Sequence, residues 1–272
     1  MPYALSEVLA ITERLWPAAG AESWDAPGLV TGSPSQSVAS IHLVVDAVSD
    51  SLDEAIDAGA DLVIAHHPLL LRGVKTVAET TYKGSMLTRL IRSNTALLSA
   101  HTNADVVAEG TSAVLADRLG LTDQTPISAS AAPGTGIGRV GMLAQPTTLG
   151  RLARVLADIL PPTAGGVRVA GDYEQPVRTV AVCGGAGDSL LAEPAVLAAD
   201  VYITADLRHH PASEAREAHR LGAGPALVDV SHWASEWLWL ETAAAQLRAA
   251  LPEASVTVSE VRTDPWDFAV IQ

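Results

Sequence analysis

The alternation of hydrophobic and polar positions early in the chain predicts strands that alternate with helices. Residues 40–48, SIHLVVDAV, alternate in the way a half-buried strand does. Residues 49–59 predict an amphipathic helix that ends at Gly59, and residues 61–65, DLVIA, predict a continuous aliphatic strand. Two strands joined by a helix form a right-handed βαβ unit, which indicates a parallel pair.

The same alternation continues to the carboxyl end and predicts an α/β fold with largely parallel or mixed sheets. Residues 122–138 are rich in Pro, Gly, Ser, Thr and Ala and predict a linker or loop. We therefore expect a first lobe over residues 1–125 and a second over 126–272, whose carboxyl-terminal segment could pack back on the first. The other predicted elements are an amino-terminal helix, helices around 86–91, 111–120, 149–160, 212–222 and 232–247, and strands over 95–100, 166–171, 178–184, 200–205, 225–230 and 254–261.

Composition narrows the class of protein. The 272 residues are 48% apolar and carry a net charge of −14, without the clustered Lys and Arg that nucleic-acid binding needs. The single Cys183 excludes an intrachain disulfide and a cysteine-based zinc site. We find neither a basic leader nor an apolar stretch of membrane-spanning length, so we expect a cytoplasmic protein with no membrane partner.

Histidines follow four of the predicted strands, where parallel sheets bind ligands. The halves also echo each other, since DLVIAHHPL and ALLSAHTNAD resemble DVYITADLRHHPA and ALVDVSHWASE. An internal duplication and a chance similarity are both open as explanations of this resemblance between the halves. The histidines at these strand ends, with the carboxylates near them, are His66 and His67, His101 with Asp105, Asp206 with His209 and His210, and His232 with Glu236.

Imidazole and carboxylate together suit Zn, Fe, Mn or Ni, whereas Mg and Ca prefer oxygen ligands. His232 and Glu236 are spaced i, i+4, so both can point at one ion. His66 and His67 would face opposite ways inside a strand, but a turn before Pro68 would let both rings reach one pocket. A bridging carboxylate would allow two ions to bind.

Each motif also has a structural interpretation. The two adjacent histidines could lie in a surface turn, and Asp105 could cap a helix. The segment 183–189, CGGAGDS, could cradle phosphate, but it lacks the lysine of a P-loop and is more typical of a tight turn. The tryptophans at 233, 237 and 239 suit packing of a long helix into the core.

Four histidine motifs resemble, in order and spacing, those of the NIF-three-like family, whose bacterial members are labelled GTP cyclohydrolase 1 type 2 homologues. These motifs are AHHPLLLRGVK, SAHTNAD, TADLRHHPASEAREAH and DVSHWASE, and ESWDAPGLVTG, GIGRVGML and VRTVAVCGGAG resemble further family segments. The resemblance implies two similar α/β lobes, a dinuclear metal site in the cleft between them, and a homohexamer. Ser231 stands where the family usually has Gly before the histidine.

The resemblance implies a ligand set for two divalent ions and two residues near them. We hypothesise a metal-dependent hydrolase that acts on a small-molecule or nucleotide substrate, and the alternative is a metal carrier or iron chaperone without turnover. The implied metal ligands are His66, His67, Asp105, His232 and Glu236, and the candidates for proton transfer are His210 and His101.

Overall fold

The computed structural model describes residues 2–270, and the chain divides into two compact units. Unit 1 consists of Met1–Ala104 and Leu240–Thr263, and unit 2 consists of Asp105–Trp239 and Asp264–Gln272. Residues 105–125, which the sequence places with the first lobe, thus belong to unit 2. Among residues 2–270, we find no helix with the length and apolar character needed to cross a membrane.

Unit 1 is built on a five-stranded sheet in the order β15-β4-β5-β6-β2. Strands β15, β4, β5 and β6 are parallel, and β2 is antiparallel to β6. The elements lying wholly or partly in this unit are β1 (Tyr3–Ala4), α1 (Leu5–Leu15), β2 (Gly28–Thr31), β3 (Ser37–Val38), β4 (Ser40–Asp46), α2 (Ser49–Asp57), β5 (Leu62–His67), α3 (Tyr82–Arg92), β6 (Ala96–Ser99), α4 (Thr102–Asp105), α9 (His232–Ala250) and β15 (Ser255–Val258).

Burial of aliphatic side chains sets the position of the unit 1 sheet. Val44 and Val63 of neighbouring parallel strands pack in one buried cluster with Leu52 of α2 and Leu90 of α3. Because parallel strands buried on both faces need a continuous aliphatic sequence, the run in β5 suits its central place in the sheet. The carboxyl ends of β4, β5 and β6 therefore lie at one edge, with Asp46 directly opposite His67 in register.

Unit 2 is built on a six-stranded mixed sheet in the order β11-β14-β13-β12-β10-β7. The central strands β12, β13 and β14 are parallel, and the outer pairings are antiparallel. The elements lying wholly or largely in this unit, besides the start of α9, are α5 (Thr111–Arg118), β7 (Leu121–Thr125), β8 (Ser128–Ala129), β9 (Gly136–Ile137), β10 (Arg139–Thr148), α6 (Leu149–Ile159), β11 (Arg168–Ala170), β12 (Pro176–Ala186), α7 (Pro194–Leu197), β13 (Val201–Ala205), α8 (His209–Arg220) and β14 (Ala226–Val230).

The α/β class with parallel and mixed sheets is confirmed, and the predicted strands and helices of the parallel segments are found within a few residues. The predicted linker over 122–138 is wrong as an unstructured segment, since most of β7 and all of β8 and β9 lie within it. Strand β10 was not predicted, because its Gly141 and Pro146 interrupt the pattern of a strand. It instead pairs along both neighbours with register shifts that absorb these residues.

Candidate metal centre

Strand β5 carries both adjacent histidines to the carboxyl edge of the unit 1 sheet. His66 and His67 are its last two residues, so the strand does not turn before Pro68 as the sequence suggested. The two ring centroids nevertheless lie 5.0 Å apart with a tilt of 48° between the planes. His66 is buried, and its Nδ1 donates to the backbone oxygen of Ala100, 2.9 Å away, at the end of the neighbouring strand.

The second histidine is oriented by a carboxylate of the strand on the other side. Nδ1 of His67 donates to Oδ1 of Asp46 over 2.7 Å, as their direct register opposition allows. The other carboxylate oxygen of Asp46 accepts from the hydroxyl of Thr263 at 2.5 Å. Asp46 is thus held on both oxygens, and it fixes the plane of the His67 ring.

A third imidazole, that of His101, follows β6 at the same edge. Its Nδ1 donates to Oδ1 of Asp25 over 2.8 Å, and Oδ2 of Asp25 accepts from the backbone nitrogen and hydroxyl of Thr102. Burial disfavours the charged form of Asp25, yet the hydrogen bonds from Thr102 and His101 hold the pKa of its carboxyl below the ordinary value. Asp25 is therefore an anion at neutral pH that orients His101.

These three histidines form a cluster that could hold a metal ion. One ring nitrogen from each of His66, His67 and His101 lies within 4.8 Å of the others. Because each Nδ1 donates to an oxygen, the tautomer is set and Nε2 carries the lone pair. Metal-binding histidines have this arrangement, in which the second ring nitrogen donates to a carboxylate or a carbonyl group. The donor set therefore fits a divalent transition metal.

In unit 2, a histidine and two carboxylates come together at the start of α9. The hydroxyl of Ser231 accepts from the backbone nitrogen of Ala234 at 3.2 Å, so the helix begins at His232. One turn later Glu236 places Oε1 3.0 Å from Nε2 of His232, as the i, i+4 spacing predicts. Nδ1 of the same ring lies 2.7 Å from Oδ2 of Asp206, which follows β13.

The two carboxylates change the charge of His232. Burial disfavours its charged form, but the negative charge of Glu236 and the hydrogen bond to Asp206 raise the pKa of His232 to about 11. Asp206 itself adopts a left-handed conformation with φ of 54°, which is uncommon for a residue other than glycine. Without a bound metal, His232 is therefore a cation between two carboxylates at neutral pH.

A glycine in segment 183–187 packs directly against this pair. Gly185 has φ of +72°, and a Cβ at this position would overlap Oε1 of Glu236 and lie 3.1 Å from Nε2 of His232. Its backbone nitrogen donates to the hydroxyl of Ser235 at 2.9 Å, and its oxygen accepts from the hydroxyl of Thr204 at 3.0 Å. The segment is thus the end of strand β12, where the pairing with β13 shifts register between Val182 and Ala186, and not the tight turn that the sequence predicts. Its backbone packs against the His232 and Glu236 side chains.

The other two predicted residues, Asp105 and His210, are also in unit 2. Asp105 accepts from the hydroxyl of Thr111 at 2.5 Å. Burial, and then the charges of Asp105 and Glu236, raise the pKa of the Cys183 thiol to about 12, so this thiol is un-ionised at neutral pH. His210 is exposed near the start of α8, with its ring centroid 5.2 Å from that of His209. Its role in proton transfer stays a prediction.

The structure identifies three orienting carboxylates that are not among the predicted metal ligands. They are Asp25, Asp46 and Asp206, which contact His101, His67 and His232 respectively. Two of them had a signal in the sequence, because Asp46 lies near the end of a predicted strand and Asp206 directly follows another. Asp25 had only its place in the WD pair, and 76 positions separate it from its histidine.

The fold and these clusters define a two-unit α/β protein with histidine-rich sites at the carboxyl edges of parallel strands. The family Duf34/NIF3 (NGG1p interacting factor 3) matches residues 3–265 of the chain. A Streptomyces coelicolor protein named GTP cyclohydrolase 1 type 2 homolog is 48% identical over 269 residues, which cover 96% of this chain and 93% of that protein. A Mycobacterium leprae protein of the same name is 34% identical, with 98% and 96% covered. The chain belongs to the Duf34/NIF3 family.

Solved structures of low sequence identity share the fold. A Bacillus cereus protein related to NIF3 aligns with a TM-score of 0.88 at 22% identity and covers 98% of this chain and 99% of its own. The reduced form of HcgD from Methanocaldococcus jannaschii aligns with a TM-score of 0.78 at 22% identity, with 96% and 99% covered. At these identities the likeness establishes the mixed α/β fold alone.

Proposed function

We propose that this protein is a metal-dependent hydrolase that acts on a nucleotide-like substrate. The observation that carries the proposal is the cluster of His66, His67 and His101, in which each Nδ1 donates to an oxygen acceptor. Orienting three imidazoles in this way serves the binding of a cation, since it leaves a lone pair on Nε2 of each ring and one nitrogen of each ring lies within 4.8 Å of the others. A purely structural polar cluster has no need of three rings with the same tautomer.

The five residues that the sequence selected as ligands remain part of the proposal. We propose that His66, His67, Asp105, His232 and Glu236 hold two divalent ions, with His101 as a sixth candidate. A bound divalent ion would polarise a substrate oxygen and lower the pKa of a coordinated water toward neutrality. A ring whose Nε2 binds a metal cannot also transfer a proton, so His210 is the better candidate for that role.

The substrate class rests on the names of the relatives and on the charge of the chain. The relatives named GTP cyclohydrolase 1 type 2 homolog suggest a nucleotide whose heterocyclic ring is opened by water. A chain with a net charge of −14 needs local cations to receive an anionic nucleotide. Arg72 and Lys75 are suited to that task, because both are exposed in the segment that follows β5 and its two histidines.

The decisive experiment measures metal content and turnover in the same preparations. Protein purified without chelator is analysed for bound metal and assayed for hydrolysis of GTP and other nucleotides. We expect metal-dependent turnover in the wild type, its loss in His67→Ala, and its retention in His219→Ala, whose imidazole contacts Gly224 and Gln175. Retention of activity after complete removal of metal, or full activity in His67→Ala, contradicts the proposal.

Two further outcomes sharpen the assignment. Asp105→Ala and Glu236→Ala should fold and lose most of the bound metal, and full stoichiometry in both would exclude these residues as ligands. A protein that binds metal, turns over no nucleotide and transfers the metal to a partner is a metal carrier instead. The homohexamer and the cytoplasmic location stay predictions, which solution scattering and cell fractionation can test.

A further inference from the structure

Unit 1 has an exposed tryptophan, Trp24, that lies beside the candidate metal centre. The side chains of Trp16 and Trp239 are fully buried, whereas Trp24 is 59% exposed. A single exposed apolar side chain is common and indicates nothing alone. Its position beside the candidate metal centre, and the way its loop is held, are what distinguish Trp24.

The indole of Trp24 lies against the histidine cluster. Its ring centroid is 5.8 Å from that of His101, and the two planes meet at 76°, so the contact is edge-to-face. The His101 ring is in turn 5.2 Å from that of His66 and 5.4 Å from that of His67. Trp24 is therefore an exposed aromatic surface directly beside the three rings.

The loop that carries Trp24 is fixed on both sides of the residue. On one side, the backbone nitrogen of Glu22 donates to the hydroxyl of Thr102 over 2.9 Å. On the other, the Asp25 carboxylate binds both His101 and the backbone of Thr102, and the backbone nitrogen of Asp25 donates to the oxygen of Glu22. The same carboxylate that orients His101 thus also fixes the distance of Trp24 from the cluster.

We propose that Trp24 is a stacking platform for a planar heteroaromatic ring of the substrate. The inference rests on the proposed function and deepens it, because it names the part of the substrate that is recognised beside the metal. Every nucleobase has a π-face that can stack on an aromatic side chain. A platform held at a constant distance from the metal ligands places the heterocycle where its ring bonds can be attacked by water.

The experiment measures binding rather than turnover. The full chain, loaded with zinc, is titrated with guanosine, with GMP and with ribose 5-phosphate, which lacks a base. Trp24→Ala should weaken the binding of guanosine and of GMP by about 5- to 150-fold, which is the range expected when the stacking of one base is lost. Trp24→Phe, which keeps a ring, should lose less. The affinity for ribose 5-phosphate and the zinc content should stay unchanged in both variants.

Tyr173→Ala is the matched control, because Tyr173 is 50% exposed and its hydroxyl accepts from Arg154 of α6. It should bind every probe as the wild type does. The inference is overturned if wild-type protein binds no guanosine, if Trp24→Ala binds it equally well, or if ribose 5-phosphate loses as much affinity as guanosine. A changed oligomeric state in Trp24→Ala with unchanged guanosine affinity also overturns it, since the indole would then be a subunit contact.

The two proposals fail separately. Guanosine binding that depends on Trp24, in a protein without metal-dependent turnover, supports the platform and refutes the hydrolase. Turnover with an unchanged KM in Trp24→Ala supports the hydrolase and refutes the platform.

Discussion

The histidines of the two units are surrounded by the same residue types, but the carboxylates contact different ring nitrogens. In unit 1, Asp46 and Asp25 accept from Nδ1 of His67 and His101. In unit 2, Asp206 contacts Nδ1 of His232 while Glu236 contacts its Nε2. A carboxylate at Nδ1 orients the ring for a metal at Nε2, whereas carboxylates at both nitrogens also stabilise the protonated ring.

This difference means that the two units present different chemistry to a cation. Two carboxylates and one backbone carbonyl contact the Nδ1 atoms of the unit 1 cluster, so its Nε2 atoms form the binding face. The unit 2 pair holds a proton between Nε2 of His232 and Oε1 of Glu236, because the pKa of His232 is raised to about 11. A metal ion at His232 must displace that proton, and binding there releases it.

The largest effect on zinc affinity should come from replacing the carboxylates that orient the histidine rings. Asp46→Asn removes the charge behind His67 and should weaken zinc binding by about 10- to 100-fold, as expected for the partner of a metal-binding histidine. Asp206→Asn should weaken zinc binding less, because it also lowers the pKa of His232 and so makes the proton that competes with zinc easier to displace. Zinc affinity is measured by competition with a chelator, with the exposed Asp50→Asn as control. Equal losses in Asp46→Asn and Asp206→Asn would remove the distinction between the units.

A smaller effect on zinc affinity should follow when a Cβ is added at Gly185, beside the His232 and Glu236 side chains. Gly185→Ala should lower zinc affinity by about tenfold, or 1.4 kcal/mol, because its Cβ displaces Glu236 from His232. Gly222→Ala is the matched control, since Gly222 has φ of +74° with nothing within 4 Å of its Cβ. Both variants should lose about 1–2 kcal/mol of stability to left-handed strain.

A double-mutant cycle tests the cause of the Gly185→Ala effect. In a Glu236→Ala background, the loss of zinc affinity caused by Gly185→Ala should fall to the cost of Gly222→Ala, because no carboxylate remains to be displaced. An unchanged cost in that background would show that the Cβ acts on the backbone rather than on Glu236.

The last effect is a pH dependence of the stability of the metal-free protein. The His232 ring keeps its proton in the folded state up to about pH 11 and loses it near pH 6.5 when unfolded. Its contribution to stability is therefore full below pH 6.5 and declines as pH rises toward 11. The slope cannot exceed about 1.4 kcal/mol per pH unit for one proton.

Denaturant unfolding from pH 6 to pH 9 measures this slope, and NMR of the ring reports the protonation directly. Glu236→Gln should flatten the slope, because it removes the charge that holds the proton. A neutral His232 ring at pH 8 in the wild type would contradict the electrostatic difference between the two units.

Local sequence was sufficient for the elements that bury aliphatic side chains. The continuous hydrophobic run over residues 61–65 predicts the strand that the structure has at Leu62–His67, and helical spacing alone predicts the His232–Glu236 pair. Strand β10 was not foreseen, because its Gly and Pro residues are tolerated only through pairing with β7 and β12. Local propensity carries no information about such distant partners.

The sequence alone determined the α/β class and the placement of histidines at strand ends, since both follow from periodicity and from the geometry of parallel sheets. Only the tertiary structure decided which ring nitrogen each carboxylate contacts, that His101 joins His66 and His67, and that His232 is charged. Asp25 and His101 are 76 positions apart, and Asp206 and His232 are 26 apart. Electrostatic interactions depend on distance in space, and the spacing of residues along the chain does not supply it.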